Sequence, residues 1–360
     1  MSARTSRDLH PLAWWLWALG LAGAASFTTN PLILLMLVGV AWLVVVLRRS
    51  DQPWGRSFRI YVWLGVCIVA VRVAFALFLG GNWLGGRVLL DLPTIPLPDW
   101  VAGITLLGPV YAQALLFALY DGLRLAAIVI MIGAANSLAN PKRVLRSVPP
   151  ALYEIGTALV VAVTVLPQFA ESARRVRAAQ SLRAGDTRRI GRLRRFLVPV
   201  LEDALEHSMA LAAGMDTRGY GRAGDLSRAQ RRTTGALMLA GLCGICVGTY
   251  AFLDTTVPRL LALPMLGLGL AAAAAGLVTA GRRVERTRYR PDRWRGPEVA
   301  VVASGLLAGA IGWWMSRNQL DVAYPSLEVV PTVSAAALVL VVVALAGPLA
   351  TPSPRLAVAT

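Results

Sequence analysis

Long apolar runs recur along the whole chain and limit its possible folds more than any other feature. A helix of roughly 20 apolar residues crosses about 30 Å of hydrocarbon, and in lipid its backbone must hydrogen-bond within itself. We therefore predict an all-α, polytopic membrane helix bundle of about eight spans. The predicted spans are Leu12 to Thr28, Leu32 to Leu47, Ile60 to Leu79, Val110 to Ala135, Leu237 to Leu253, Leu260 to Ala280, Val299 to Met315 and Val333 to Leu349.

Arginines between the apolar runs predict the orientation. The chain is 56% hydrophobic and 15% charged, and its formal net charge is +17. Basic residues mark cytoplasmic loops, and seven arginines lie in residues 281–296 alone. This pattern places both termini inside and predicts a multi-pass protein of the cytoplasmic membrane. Because topology explains the basicity, we expect no nucleic-acid partner.

Two stretches depart from simple alternation of spans and loops. Residues 85–108 contain the proline-rich run Leu92 to Pro98, which cannot form a straight helix, so we expect this segment outside, re-entrant or along the interface. Residues 151–166 are apolar, yet a strongly basic segment follows them. If they crossed the membrane, the basic segment would be outside. We predict a shallow helix on the cytoplasmic side instead.

The segment from Gln168 to Arg232 has the composition of a cytoplasmic module. It holds fourteen arginines against seven acids and lacks an apolar run of spanning length. Apolar residues recur at helical spacing on both sides of residue 186, which predicts two amphipathic helices, the second bent at Pro199. The predicted domains are an N-terminal membrane bundle (1–150), a cytoplasmic-side helical module (151–232) and C-terminal membrane spans (233–360).

Catalytic and metal-binding motifs are missing from the sequence. A P-loop needs a lysine, and the single lysine, Lys142, follows a proline. The His-Glu-x-x-His and Gly-x-Ser-x-Gly motifs are also absent. Cys67, Cys243 and Cys246 lie within apolar runs, and His10 and His207 are far apart. We therefore predict no catalytic residue, no cofactor and no metal.

A few charged residues fall in or beside apolar runs. Asp121-Gly122-Leu123-Arg124 is similar to the opening of the membrane phosphatidyl-transferase signature, but the further aspartates of that signature are missing. We interpret Asp121 and Arg124 as a charge pair facing the bundle. Arg72 and Glu154 would need buried partners or would snorkel to a boundary.

Two other classes of protein remain alternatives. A membrane-embedded enzyme of lipid or cell-wall synthesis could use a polar cleft of Asp121, Arg124 and Glu154, but it would need clustered acids or a metal. A secondary transporter would favour paired broken helices at the midplane, and the sequence lacks that pattern.

The most informative pattern lies at the predicted ends of the two amphipathic helices. Residues 179–186 read AQSLRAGD and residues 215–222 read MDTRGYGR, so an arginine precedes small residues in each. Glycine suits a helix C-cap, and a guanidinium fixed there can bind a carboxylate of another subunit through a bidentate fork. The simpler interpretation is a pair of solvated basic helix ends.

At these residues the chain resembles the transmembrane T component of energy-coupling factor (ECF) transporters, which are ABC importers for vitamins and metal ions. The resemblance covers roughly residues 14–250. It implies that two cytoplasmic ABC ATPase subunits or domains dock on the helix ends, and that a separate membrane-embedded S component holds the substrate. It implies no bond chemistry. The ATPase-coupling residues implied by the resemblance are Arg183, Ala184, Gly185, Thr217, Arg218 and Gly219.

Two features depart from the family pattern. The sequence has Leu182-Arg183-Ala184 and Thr217-Arg218-Gly219 where the family usually has Ala-Arg-Gly, although both arginines are kept. Two apolar spans after Ala280 also exceed the usual family core, and the resemblance implies no role for them.

Overall fold

A helix occupies the position of each predicted span in the computed structural model. The structure describes residues 9–49, 57–79, 87–93, 95–96, 105–147, 153–182, 189–220, 227–254, 259–282 and 294–352. The helices are α1 Pro11–Ser26, α2 Pro31–Arg48, α3 Phe58–Leu79, α4 Ala112–Leu138, α5 Pro141–Arg146, α6 Tyr153–Leu182, α7 Arg189–Thr217, α8 Arg228–Leu253, α9 Arg259–Arg282, α10 Gly296–Asn318, α11 Leu320–Ala323 and α12 Ala335–Ala350. The all-α polytopic fold is confirmed.

Seven helices in the described residues are long and apolar enough to cross a membrane, namely α2, α3, α4, α6, α8, α9 and α10. The first and last predicted spans form α1 and α12, which are shorter apolar helices of 16 residues each. The eight predicted spans therefore correspond to α1–α4, α8–α10 and α12. The described residues contain one more apolar helix of spanning length, α6, which the prediction did not count as a span.

Proline and a polar cap define where α1 and α2 begin. Each helix has proline at its first position, where the missing N–H costs nothing. The His10 ring accepts a hydrogen bond from the Leu12 N–H at 3.3 Å, and the Asn30 side chain accepts one from the Leu32 N–H at 3.0 Å. These caps satisfy backbone donors that the helices leave free.

One compact unit joins the two ends of the chain, residues 1–144 and 291–360. Within it α1 packs on α4 and α10, α12 packs on α10 and α2, and α3 packs on α4. The Trp17 indole is fully buried and donates to the Ala344 carbonyl at 3.0 Å. The Asn30 amide donates to the carbonyls of Val322 and Thr332, each at 2.8 Å. These bonds connect the helices after residue 295 to the N-terminal helices.

Small residues allow α1 and α10 to approach closely. A Cβ atom added at Gly20 would lie 2.2 Å from the Gly305 carbonyl oxygen, and one added at Gly305 would lie 2.4 Å from the Trp17 Cα. Lipid tails are as apolar as the side chains, so membrane helices associate mainly by such backbone packing.

The second compact unit contains residues 145–290. In it α8 and α9 form a closely packed pair, in which a Cβ at Gly244 would lie 2.7 Å from the Gly269 Cα. The helices α6 and α7 form another pair. The two units group the helices differently from the three consecutive domains predicted from the sequence, whose boundaries stay a prediction.

Several details differ from the sequence predictions. From Tyr153 onward, the apolar stretch and the start of the basic module form one continuous helix, α6, which runs through Pro167. Its portion Ile155–Leu182 is apolar enough to span, so its position on the cytoplasmic side stays a prediction. The helix α7 also continues through Pro199.

Short strands lie in and around the proline-rich segment, and they were not predicted from the sequence. β1 (Val88–Asp91) pairs antiparallel with β4 (Pro109–Tyr111), and β2 (Ile95–Pro96) pairs with β3 (Thr105–Leu106). The fourth span consequently begins at Ala112, because Val110 belongs to β4. Proline excludes a straight helix here, as expected, but short extended pairs remain compatible with it.

Candidate functional site

The C-terminal end of α7 forms a Schellman motif around the second predicted arginine. Gly219 has a φ of +76°, the left-handed conformation that glycine adopts without a Cβ penalty. Its N–H donates to the Asp216 carbonyl at 2.9 Å, and the Tyr220 N–H donates to the Met215 carbonyl at 3.0 Å. This pair of bonds defines the motif and makes Arg218 the C-cap residue. Gly219 thus ends the helix as its position in the sequence predicted.

Arg218 is exposed at this fixed end. The backbone N–H of Arg218 donates to the Met215 carbonyl at 3.1 Å, and the hydroxyl of neighbouring Thr217 donates to the Gly214 carbonyl at 3.0 Å. Both bonds are local, and within the described residues no salt bridge joins Arg218 to an acid. A cation at a helix C-terminus also interacts favourably with the helix dipole. Arg218 therefore exposes its guanidinium at a helix end whose backbone is fixed by hydrogen bonds, between Thr217 and Gly219.

The first predicted motif follows the end of α6. The helix ends at Leu182, whose side chain is 86% exposed. Arg183, Ala184 and Gly185 lie outside the described residues. The sequence order still places this motif immediately after a helix, as for the second motif.

Polar contacts fix the pairing of α6 and α7. The buried Ser172 hydroxyl donates to the Asp203 carboxylate, and the Gln180 amide donates to the Arg195 carbonyl. The rings of Phe169 and His207 meet edge to face with centroids 6.3 Å apart. Partners that lie later on α6 lie earlier on α7, so the helices run antiparallel. The two arginine motifs therefore follow opposite ends of this helix pair.

A small cleft lies between the two helices. Its volume is about 230 Å³, and its lining residues are Gln168, Phe169, Glu171, Arg175, Asp203 and His207. The Ser172–Asp203 contact could not be predicted from the sequence, because the partners are 31 residues apart. A polar residue beside the apolar face of each amphipathic helix was the only local signal.

Charged residues inside the N-terminal helices form a triad. Asp121 is buried on α4 and pairs with Arg124 at 2.8 Å, which confirms the predicted charge pair. It also pairs with Arg72 of α3 at 2.6 Å, so Arg72 has a buried partner, which is one of the two explanations that the sequence allows. The side chain of Glu154, the third residue of the enzyme alternative, lies outside the described residues.

No described group of three or more His, Cys, Asp or Glu residues could hold a metal ion. The three cysteines are free thiols.

A helix bundle with seven helices of spanning length defines a multi-pass α-helical membrane protein. The family model of the cobalt transport protein, CbiQ, matches residues 2–228, and the chain belongs to this family. The predicted family is confirmed, and the chain is a membrane transport component. No curated protein matches the chain. The family match ends at the start of α8, so most of α8 and all of α9–α12 follow it.

Proposed function

We propose that this chain is the T component of an ECF-type ABC importer. In this role it couples ATP hydrolysis by two partner ATPases to uptake of a micronutrient, a vitamin or a metal ion. A separate S component in the membrane binds the substrate. The observation that carries the proposal is the exposed Arg218 at the Schellman end of α7, within the segment that the cobalt transport family matches.

The geometry of this end suits docking on an ATPase. A planar guanidinium can form two parallel hydrogen bonds with one carboxylate, so it binds strongly and in a defined orientation. The Schellman bonds fix the backbone from which Arg218 projects, which lowers the entropy lost on binding. A helix end seated in a groove of each ATPase is then displaced when the ATPases close.

The pairing of α6 and α7 supports transmission of that displacement. Two hydrogen bonds join the helices at different heights, Ser172–Asp203 and Gln180–Arg195. A displacement of one end of α7 would therefore move α6 with it. Rigid helices that shift against neighbours are a common means of coupling distant sites. The pair acts in the proposal as a single lever with an ATPase contact after each helix.

Co-purification tests the proposed partners. The full-length chain is expressed with candidate ABC ATPases and candidate S components and is isolated in mild detergent. We expect a stable complex that contains two ATPase subunits or domains and one further membrane subunit. A chain that binds neither would contradict the proposal.

A further inference from the structure

The triad of Arg72, Asp121 and Arg124 carries a surplus positive charge inside the membrane. Asp121 is the one acid that either arginine pairs with in the described residues, so the triad has two cations and one anion. α3 and α4 contain one further charged residue, Arg59, at the start of α3. An uncompensated charge in hydrocarbon is costly, and such residues usually mark functional positions.

The triad lies away from the ends of α3 and α4. Arg72 lies seven residues before the end of α3, and Asp121 lies nine residues after the start of α4, on the same side of the bundle. At a rise of 1.5 Å per residue, their Cα atoms lie about 10 and 14 Å along the helices from those ends. Helical side chains lean toward the helix N-terminus. For Arg72 this direction is away from the nearer surface.

Arg72 is also the most exposed member of the triad. Its side chain is 47% exposed, whereas the Asp121 side chain is only 12% exposed. Around it, α3 presents large apolar side chains outward, among them Val71 at 47% and Phe75 at 58% exposure. The exposed face of α3 thus combines an apolar surface with the half-exposed Arg72 guanidinium. Arg72 shares the single negative charge of Asp121 with Arg124, whose side chain is 33% exposed.

We propose that this face of α3 binds a transmembrane helix of a partner subunit, and that an aspartate or glutamate of that helix neutralises the surplus charge at Arg72. A carboxylate at this depth turns two arginines and one acid into two balanced pairs, so each of the two proteins compensates a charge of the other. The inference rests on the proposed function in one respect, because the partner is the membrane subunit of the same importer.

A photo-crosslink identifies the occupant of the face. Benzoylphenylalanine replaces Phe75, nearly one turn from Arg72, in the full-length protein co-expressed with the membrane subunit. After illumination of native membranes, we expect a crosslink to a transmembrane segment of that subunit, with an acid within about one helical turn of the crosslinked residue. The same probe at Leu35 of α2, which is 55% exposed, is the matched control and should crosslink at least about tenfold less to that segment.

Charge variants separate docking from a merely structural role. We expect Arg72→Gln to weaken association with the membrane subunit at least about tenfold, since the surplus charge is lost and the Arg124–Asp121 pair stays neutral. Asp121→Asn should keep association, because it increases the surplus. A structural role predicts the opposite order, because Asp121→Asn breaks both ion pairs.

A charge swap decides the proposal even if Asp121→Asn folds poorly. Arg72→Glu should abolish association, and arginine at the acid located by the crosslink should restore it to within about threefold. Crosslinks to lipid alone, or association unchanged by Arg72→Gln, would overturn the proposal. ATPase binding is measured in the same samples. If the crosslink from residue 75 to the membrane subunit forms but the ATPases do not bind, the coupling role is contradicted and this interface is not.

Discussion

The amide of Tyr220 donates to the carbonyl of Met215 at 3.0 Å, and this bond closes the end of α7 beneath Arg218. The bond requires the chain to reverse at Gly219, whose φ is +76°. A local rule for ending helices thereby determines where the guanidinium of the proposed ATPase contact is placed.

Replacement of Gly219 should misplace Arg218 without removing it. Gly219→Ala puts a Cβ into the left-handed conformation at a cost of about 1–2 kcal/mol, which favours a different helix end. We expect less uptake per ATP hydrolysed in the reconstituted complex. Gly219→Asn should be milder, since asparagine tolerates this conformation better.

Gly214→Ala is the matched control for this prediction. Gly214 lies inside α7, and a Cβ there would meet no atom within 4 Å. Alanine should therefore stabilise the helix by about 0.5–1 kcal/mol and leave coupling unchanged. Equal loss of coupling in both variants would contradict the role of the Schellman end.

The contact between α1 and α10 predicts a large effect of one methyl group. Gly305→Ala places a Cβ 2.4 Å from the Trp17 Cα, and because that atom is backbone, the helices must separate. We expect a loss of about 1–3 kcal/mol in stability. Thermal unfolding in detergent measures it. Gly39→Ala, inside α2 where a Cβ meets nothing within 4 Å, is the control and should not lower the melting temperature.

Features that depend on neighbouring residues were predicted from the sequence, whereas features that depend on contacts between separate segments were missed. The apolar runs located all eight predicted helices because a spanning helix satisfies its own backbone, and Gly219 was predicted from the residues beside it. The strands of residues 88–111 depend on pairing with distant segments, and they were missed. The partner of Arg72 and the Ser172–Asp203 bond also depend on which helices pack together.

Cysteine labelling tests the predicted topology. In a background without Cys67, Cys243 and Cys246, a cysteine at exposed Ser181 should resist an impermeant reagent in intact cells and react after permeabilisation. A cysteine at exposed Ser326 should react in both conditions. External labelling at residue 181 would mean that 151–166 crosses the membrane and would remove the proposed ATPase contact.

Substitution of the two arginines tests the central claim most directly. In proteoliposomes of the complete complex, Arg218→Ala should reduce uptake and ATPase docking at least about tenfold, because it removes a charge-assisted fork. Arg183→Ala should have a smaller effect, and the double variant should be worse. Membrane insertion should be intact in all three, and Arg174→Ala, an exposed arginine of α6, should behave as the unmodified protein. Undiminished uptake by a stably expressed Arg183→Ala, Arg218→Ala double variant would contradict the coupling role.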